Sequence, residues 1–126
     1  MAGKMSDVLY FNNSKEFIDW LEENHQTSKE IWLGFYKKKP NKENFTWSES
    51  VDCALSFGWI DGLRKKVDED SYKVRFTPRK PNSVWSKVNI NKVEKLIELN
   101  QMRPKGLTLY NQRKDKTGYS SLSREV

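Results

Sequence analysis

The feature that most constrains the fold is the run Ile-Trp-Leu-Gly-Phe-Tyr at residues 31–36. Because side chains alternate between the two faces of a strand, a run that is apolar throughout predicts a strand with apolar side chains on both faces. The run has an ordinary strand length and is far shorter than the roughly 20 residues that cross a membrane. It therefore predicts the central strand of a sheet covered on both sides, and no apolar run in the chain predicts a membrane span.

Strand and helix signals alternate along the chain on both sides of this run. Two capping boxes, Asn13 with Glu16 and Thr46 with Glu49, are expected to begin helices, and Gly58 is expected to end the second one. The predicted elements are, in order, a strand at 8–11, a helix at 14–24, the central strand, a helix after Thr46, hairpin strands at 59–67 and 71–77, a helix from Asn91 to about 101 and a short helix from Pro104.

The chain of 126 residues has the size of one domain, and its 13% of aromatic residues supply large side chains for a core. Two helical stripes are expected to be buried: Trp47, Val51, Ala54 and Leu55, and Ile90, Val93, Leu96 and Ile97. We predict a single α+β domain over residues 1–112, with a small antiparallel or mixed sheet of about four strands and helices packed on it. Residues 113–126 are predicted to be a flexible basic and polar tail.

The register of the predicted hairpin decides which of its side chains share a face. The register that unites the apolar residues pairs Val67 with Tyr72, Leu63 with Phe76, Arg64 with Arg75 and Lys66 with Lys73. It places Asp61 on the apolar side, where an uncompensated carboxylate is costly. We therefore expect Arg79 or Arg75 to pair with Asp61, which makes this carboxylate either a structural clamp or a group that orients a ligand.

Charge is distributed unevenly along the chain. Residues 1–77 carry 12 Lys/Arg against 13 Asp/Glu, a net charge of −1, whereas residues 78–126 carry 11 against 4, a net charge of +7. A basic half indicates an anionic partner, either a small anionic ligand or a partner protein, or simply solvated helix faces. Nucleic acid is the alternative partner, but the basic residues are scattered around helices and no RNA-recognition aromatic motif is present, so tight binding through this half is not expected.

Nucleophile, metal and cofactor chemistry have little support in the sequence. Cys53 lies inside a predicted helix, and His25 lies near a helix end where imidazole commonly caps carbonyls. One Cys and one His cannot build a four-ligand zinc site, and no nucleotide-binding glycine motif occurs. We expect no catalytic residues, no metal and no cofactor, and an enzyme that uses an Asp61/Arg79 pocket is the alternative. No signal peptide is recognisable, so the cytoplasm is the expected compartment.

The best candidate for a binding site lies between Arg75 and Asn89. Two prolines are expected to hold a loop before a helix start at Ser83, and free backbone N–H groups at a helix start favour an anion. Trp59 and Trp85 flank the hairpin end where this loop departs, so the two indoles are expected to lie close together. The candidate ligand-binding residues are Trp59, Asp61, Arg75, Thr77, Arg79, Lys80, Ser83, Trp85 and Asn89. The structural alternative is that Trp85 belongs to the core and Ser83 merely caps a helix.

Three motifs in this order resemble the YdeI/OmpD-associated (bacteriocin-protection) family: Ala54 to Gly62, Arg75 to Lys80, and Ser83 to Asn89. The resemblance extends over about residues 10–107 and includes the ending Met-Arg-Pro-Lys-Gly-Leu at 102–107. The basic helices at the C-terminal end of that family have no counterpart in this chain. The resemblance implies a binding or interaction protein with a role in bacteriocin, antimicrobial-peptide or envelope-stress protection, and no defined biochemical activity.

Overall fold

The computed structural model describes residues 8–37 and 45–113. These residues form a small α+β domain with four helices and a four-stranded mixed sheet, which confirms the predicted fold class. The predicted tail lies, beyond Arg113, outside the described residues. The elements are β1 (Val8–Leu9), α1 (Ser14–Asn24), β2 (Ile31–Tyr36), α2 (Trp47–Ser56), β3 (Trp59–Lys66), β4 (Ser71–Pro78), α3 (Lys87–Glu98) and α4 (Pro104–Asn111).

The sheet has the strand order β1-β2-β4-β3, so the apolar run at 31–36 is a central strand as predicted. It pairs in parallel with β1 and antiparallel with β4. Its alternate residues lie opposite apolar residues of β4, with the pairs Ile31 and Phe76, Leu33 and Val74, and Phe35 and Tyr72. The ring of Phe17 in α1 meets that of Phe76 edge to face at 5.5 Å, so this face of the sheet packs on helix α1.

The other face of β2 departs from the prediction of a strand covered on both sides. Trp32 is half-buried, and Tyr36 is 51% exposed. The ring of Tyr10 lies over Gly34, where a Cβ atom would overlap it. An apolar run shows that a strand is central, but it does not show how much of each face a neighbouring element covers.

Beside its turn, the predicted hairpin register is wrong by one residue. The Arg64 guanidinium lies 3.9 Å from the centre of the Tyr72 ring, so these side chains share the face that the prediction gave to Val67. The backbone N–H of Val67 donates to the carbonyl of Ser71 at 3.1 Å, and Leu63 is 54% exposed. β3 is an edge strand, and a slip of one residue exchanges the faces of the side chains beside the turn.

The starts of the first two helices agree with the prediction. The Asn13 side chain accepts a hydrogen bond from the N–H of Glu16, and Thr46 and Glu49 cap each other reciprocally. Gly58 has a φ of +81°, the left-handed conformation that favours glycine just after a helix. Two residues of the predicted buried stripes are exposed instead, Trp47 by 45% and Ile97 by 43%.

The start of α3 differs from the prediction. Its N-cap is Ser86, whose side-chain oxygen accepts the N–H of Asn89 at 3.1 Å, so neither Ser83 nor Asn91 begins this helix. Ser83 instead closes a turn with Lys80, and its N–H donates to the Lys80 carbonyl at 3.3 Å. Helix α4 begins at Pro104, as predicted.

Contacts within the chain cluster into two compact units. Of the described residues, the first unit holds 8–37, 45–54 and 60–78, with α1, most of α2 and nearly the whole sheet. The second unit holds residues 55–59 and 79–113, with α3 and α4. In the second unit the N–H of Arg103 donates to the Ser56 carbonyl at 2.9 Å, and a Cβ added at Gly106 would overlap that same oxygen. Close approach of backbone to backbone therefore joins α4 to the end of α2.

Candidate functional site

The candidate site is built on residues 79–89 of the second unit, here called the 79–89 segment. It begins where the N–H of Arg79 donates to the Gly58 carbonyl at 2.8 Å, which joins it to the residue before Trp59. Pro81 and Asn82 then occupy the middle of the Lys80–Ser83 turn, with Asn82 at a φ of 66°. Proline followed by a residue of positive φ is the arrangement of a type II turn, so this backbone is conformationally restricted.

Arg79 and Trp85 contact each other across this turn. The guanidinium carbon lies 4.1 Å from the centre of the Trp85 ring, and Nη2 donates to the Val84 carbonyl at 3.0 Å. Trp85 is 3% exposed, and its ring meets that of Tyr110 edge to face at 5.4 Å. The positive charge is thus held against a buried aromatic ring, where cation–π attraction adds to the hydrogen bond.

Ser83 Oγ and Trp85 Nε1 of the segment are buried without a hydrogen-bond partner among residues 8–37 and 45–113. An indole N–H is a donor only, and a hydroxyl can donate as well as accept. A buried donor left unpaired costs roughly 1–3 kcal/mol. Two such groups within three residues, beside a guanidinium, form an arrangement that an acceptor of hydrogen bonds would complete.

The start of α3 adds backbone donors near the end of the segment. The helix has 12 residues, and its N-cap Ser86 serves the N–H of Asn89. The N–H groups of the first turn have no partner within a helix and carry its partial positive charge. The Asn89 N–H is occupied by this cap and is not a free donor of the segment, whereas Lys80 is an exposed cation at the turn.

The structure divides the predicted site residues between the two units. Trp59 lies in the second unit with the 79–89 segment and is 1% exposed. Its predicted closeness to Trp85 stays a prediction. Asp61, Arg75 and Thr77 belong to the first unit, and Thr77 is half-buried there.

The hydrogen bonds of Asp61 and Arg75 correct the expected ion pair between them. Asp61 Oδ2 accepts from the indole Nε1 of Trp47 at 3.1 Å. The Arg75 Nε donates to Glu30 Oε1 at 2.6 Å. Asp61 is half-buried, and this bond from the exposed Trp47 of α2 gives its carboxylate a hydrogen-bond partner.

The nucleophile candidates are in environments that suit packing. Burial raises the pKa of the Cys53 thiol from 9.0 to about 11, and its Sγ lies 3.8 Å from the Ser14 carbonyl. The His25 Nδ1 lies 2.7 Å from the Leu21 carbonyl, at the end of α1 as the sequence predicted. Within the described ranges, no group of three His, Cys, Asp or Glu side chains is arranged to hold a metal ion. None of the four helices in the described part of the chain is long and apolar enough to cross a membrane.

Sequence reasoning missed the acceptor carbonyls that place Arg79, those of Gly58 and Val84. A local signal for the turn between them was available, because Pro81-Asn82 is the dipeptide that a type II turn favours. No local signal identifies a backbone acceptor from a separate part of the chain, so the bond to Gly58 could be found only in the folded structure.

Comparison with known proteins places the chain in a family without a described activity. The family model of a domain of unknown function, DUF8412, matches residues 9–109, and the chain therefore belongs to this family. No curated protein and no solved structure matches the chain significantly. The matched residues include the whole 79–89 segment and all four helices up to Leu109.

Proposed function

We propose that this member of the DUF8412 family is a non-enzymatic binding protein whose 79–89 segment takes a small oxyanion. The observation that carries the proposal is the burial of Ser83 Oγ and Trp85 Nε1 without a hydrogen-bond partner among the described residues. An oxyanion offers several acceptor oxygens to such donors, which would remove their desolvation cost when it binds.

The charge of the segment favours an anion over other acceptors. Arg79, Lys80 and Lys87 are its ionisable residues, and the sequence from 79 to 89 contains no Asp or Glu. Arg79 is held in place by Trp85 and by the Val84 carbonyl, so little side-chain freedom is lost when a ligand binds. Asp61 is not part of the proposed site, because its carboxylate already accepts a hydrogen bond from the Trp47 indole.

A thermal-shift titration with phosphate and with sulfate, at constant ionic strength set by chloride, tests the proposal. A ligand at ten times its Kd stabilises the folded state by roughly 1.4 kcal/mol, and this raises the Tm of a domain this size by several degrees. We expect Arg79→Ala to abolish the rise. Lys15→Ala is the matched control, since Lys15 is an exposed cation that pairs with Asp19 on α1.

A second pair of variants separates the indole donor from the aromatic ring. Trp85→Phe keeps an aromatic face for Arg79 but removes Nε1, and we expect it to lose most of the anion response. Trp47→Phe, at an exposed indole of the first unit, should keep that response. Equal stabilisation of the parent and all variants would identify general salt screening and contradict the proposal. A Trp85→Phe variant that keeps the full anion-induced stabilisation would also contradict the proposal.

The physiological role rests on the sequence resemblance alone. Protection against bacteriocins, cationic peptides or envelope stress, and a cytoplasmic location, are proposals that survival assays on cells with and without the gene would test. Their failure would leave the anion site unaffected, because the titration reports binding by the isolated protein.

A further inference from the structure

A second surface of the molecule has the chemistry of a binding site and is not part of the proposed oxyanion site. It is the side of the sheet opposite α1, here called the aromatic face, formed by Tyr10, Trp32, Tyr36, Lys65 and Lys73. All five residues belong to the first unit, whereas the 79–89 segment belongs to the second.

The aromatic rings follow one another along β2. Trp32 and Tyr36 are four residues apart on the same face of the strand, a distance of roughly 13 Å. Between them, the ring of Tyr10 lies over Gly34 and stacks on Tyr36 with centroids 4.9 Å apart. Tyr10 is 37% and Tyr36 51% exposed, so the row presents aromatic surface to solvent along its length.

Hydrogen bonds and packing hold this row in place. The Tyr10 hydroxyl lies 3.3 Å from Ser71 Oγ, and Ser71 is 2% exposed. A ring fixed at both its face and its hydroxyl loses little conformational freedom when another ring stacks on it. The arrangement therefore resembles a preorganised stacking platform more than a set of mobile surface tyrosines.

Lysine side chains lie beside the rings of this face, and the Asp68 carboxylate lies at its end, where it accepts a hydrogen bond from the Ser71 hydroxyl at 3.1 Å. Lys73 Nζ lies 4.6 Å from the centre of the Trp32 ring, and the bond from Val67 to Ser71 places Lys65 opposite Lys73 on the edge strand. Arg75 lies on the same face, but Glu30 neutralises it. Neither Lys65 nor Lys73 has a carboxylate partner within the part of the chain that the structure describes.

We infer that the aromatic face binds single-stranded nucleic acid. Exposed rings on an open sheet stack unpaired bases, two or three along one row, and nearby lysines attract the phosphates. A proline-rich peptide also docks on aromatic rows, but it does not require the two lysines. This inference is independent of the oxyanion site, and it assigns nucleic-acid binding to the sheet instead of the basic residues 78–126.

Fluorescence anisotropy with a labelled single-stranded oligonucleotide of about ten nucleotides tests the inference on the full chain. We expect binding at low salt that weakens as salt is added, and much weaker binding of a duplex of the same sequence. Tyr36→Ala should weaken single-strand binding roughly tenfold, since one base stack contributes about that much. Tyr36→Phe keeps a ring and should keep the affinity.

Matched controls separate stacking and charge from general effects. Trp47→Ala removes an exposed aromatic ring outside the face and should leave the affinity unchanged. Lys73→Gln should reduce the salt dependence by the amount of about one phosphate contact, whereas Lys15→Gln on α1 should not. Arg79→Ala should bind the oligonucleotide as the parent does. An unchanged Tm of Tyr36→Ala would show that the fold is intact.

Three results would overturn the inference. The parent protein could show no single-strand binding at low salt. The duplex could bind as tightly as the single strand, or Tyr36→Ala and Trp47→Ala could have the same affinity. A labelled proline-rich peptide that binds the parent, loses affinity in Tyr36→Ala and is not displaced by the oligonucleotide would assign the face to a peptide partner.

Discussion

Two turns in this molecule each lead into a helix, and they differ in how their polar groups are hydrogen-bonded. The turn before α2 closes on itself: the N–H of Glu49 donates to Thr46 Oγ1, and the N–H of Thr46 donates to Glu49 Oε1, each at 3.1 Å. The 79–89 segment leads into α3 through the cap at Ser86, but it leaves Ser83 Oγ and Trp85 Nε1 unpartnered among the described residues.

Two buried serine hydroxyls make the contrast specific. Ser50, one turn into α2, is completely buried, and its hydroxyl donates to the Trp47 carbonyl at 2.6 Å. The hydroxyl oxygen of Ser83 is buried as well but has no such acceptor. A helix can therefore begin without leaving a buried donor unpaired. The 79–89 segment leaves Ser83 Oγ and Trp85 Nε1 unpartnered among the described residues, and it is the better candidate for a ligand site.

The largest expected effect concerns the anchor of the 79–89 segment. Gly58→Ala should destabilise the protein by about 3 kcal/mol, because alanine is strained at a φ of +81° and its Cβ would crowd Leu109. Chemical unfolding measures the change. Gly62→Ala is the control, since its Cβ would meet only the Arg75 carbonyl at 3.7 Å. Similar losses of stability at both positions would show that position 58 requires glycine no more than position 62 does.

The next effect concerns the buried thiol of Cys53 in α2, the helix that follows the turn at Thr46. Because the pKa of Cys53 is about 11 in the folded protein and 9.0 as the ordinary value, the folded state holds the thiol proton longer than the unfolded state does. Its contribution is present below pH 9.0 and is lost as the pH rises through about 11, by up to about 3 kcal/mol.

Urea unfolding of the parent and of Cys53→Ala across this pH range isolates that contribution from the titration of lysines and tyrosines. The difference in unfolding free energy between the two proteins should shift against the parent as the pH rises. A difference that stays constant would mean that the thiol is not shielded from water. Cys53 would then be a candidate reactive thiol.

A smaller effect is expected where the first turn loses its cap. Thr46→Ala removes the acceptor of the Glu49 N–H and should cost about 1 kcal/mol of stability, without changing the response to phosphate. Denaturant midpoints with and without phosphate report both quantities. A weaker phosphate response in this variant would break the proposed division between a structural turn and a binding turn.

The smallest effect on stability is expected at Ser83. Ser83→Ala removes a buried hydroxyl that has no partner in the described structure, so stability without ligand should not fall, and relief of the desolvation cost should raise it by up to about 1 kcal/mol. The stabilisation by phosphate should nevertheless fall. If this substitution costs as much as Thr46→Ala, the Ser83 hydroxyl is structurally satisfied, and the two turns are alike.

Much of the secondary structure was predictable because its signals are local. The capping box at Thr46, the glycine at 58 and the proline at 104 act through neighbours within four residues, and each has the predicted role. The start of α3 was missed because Ser83, Ser86 and Asn91 are all good N-caps. The choice among them depends on how the Lys80–Ser83 turn is closed.

The sequence by itself determined the α+β class, the central position of residues 31–36 and the basic loop around Arg79, since periodicity, capping and charge are properties of short segments. Tertiary structure decided the hairpin register, the partner of Asp61 and the row of rings formed by Tyr10 and β2. These depend on which distant residues meet. A register shift of one residue conserves every local preference, and only packing against the rest of the fold selects between the two faces.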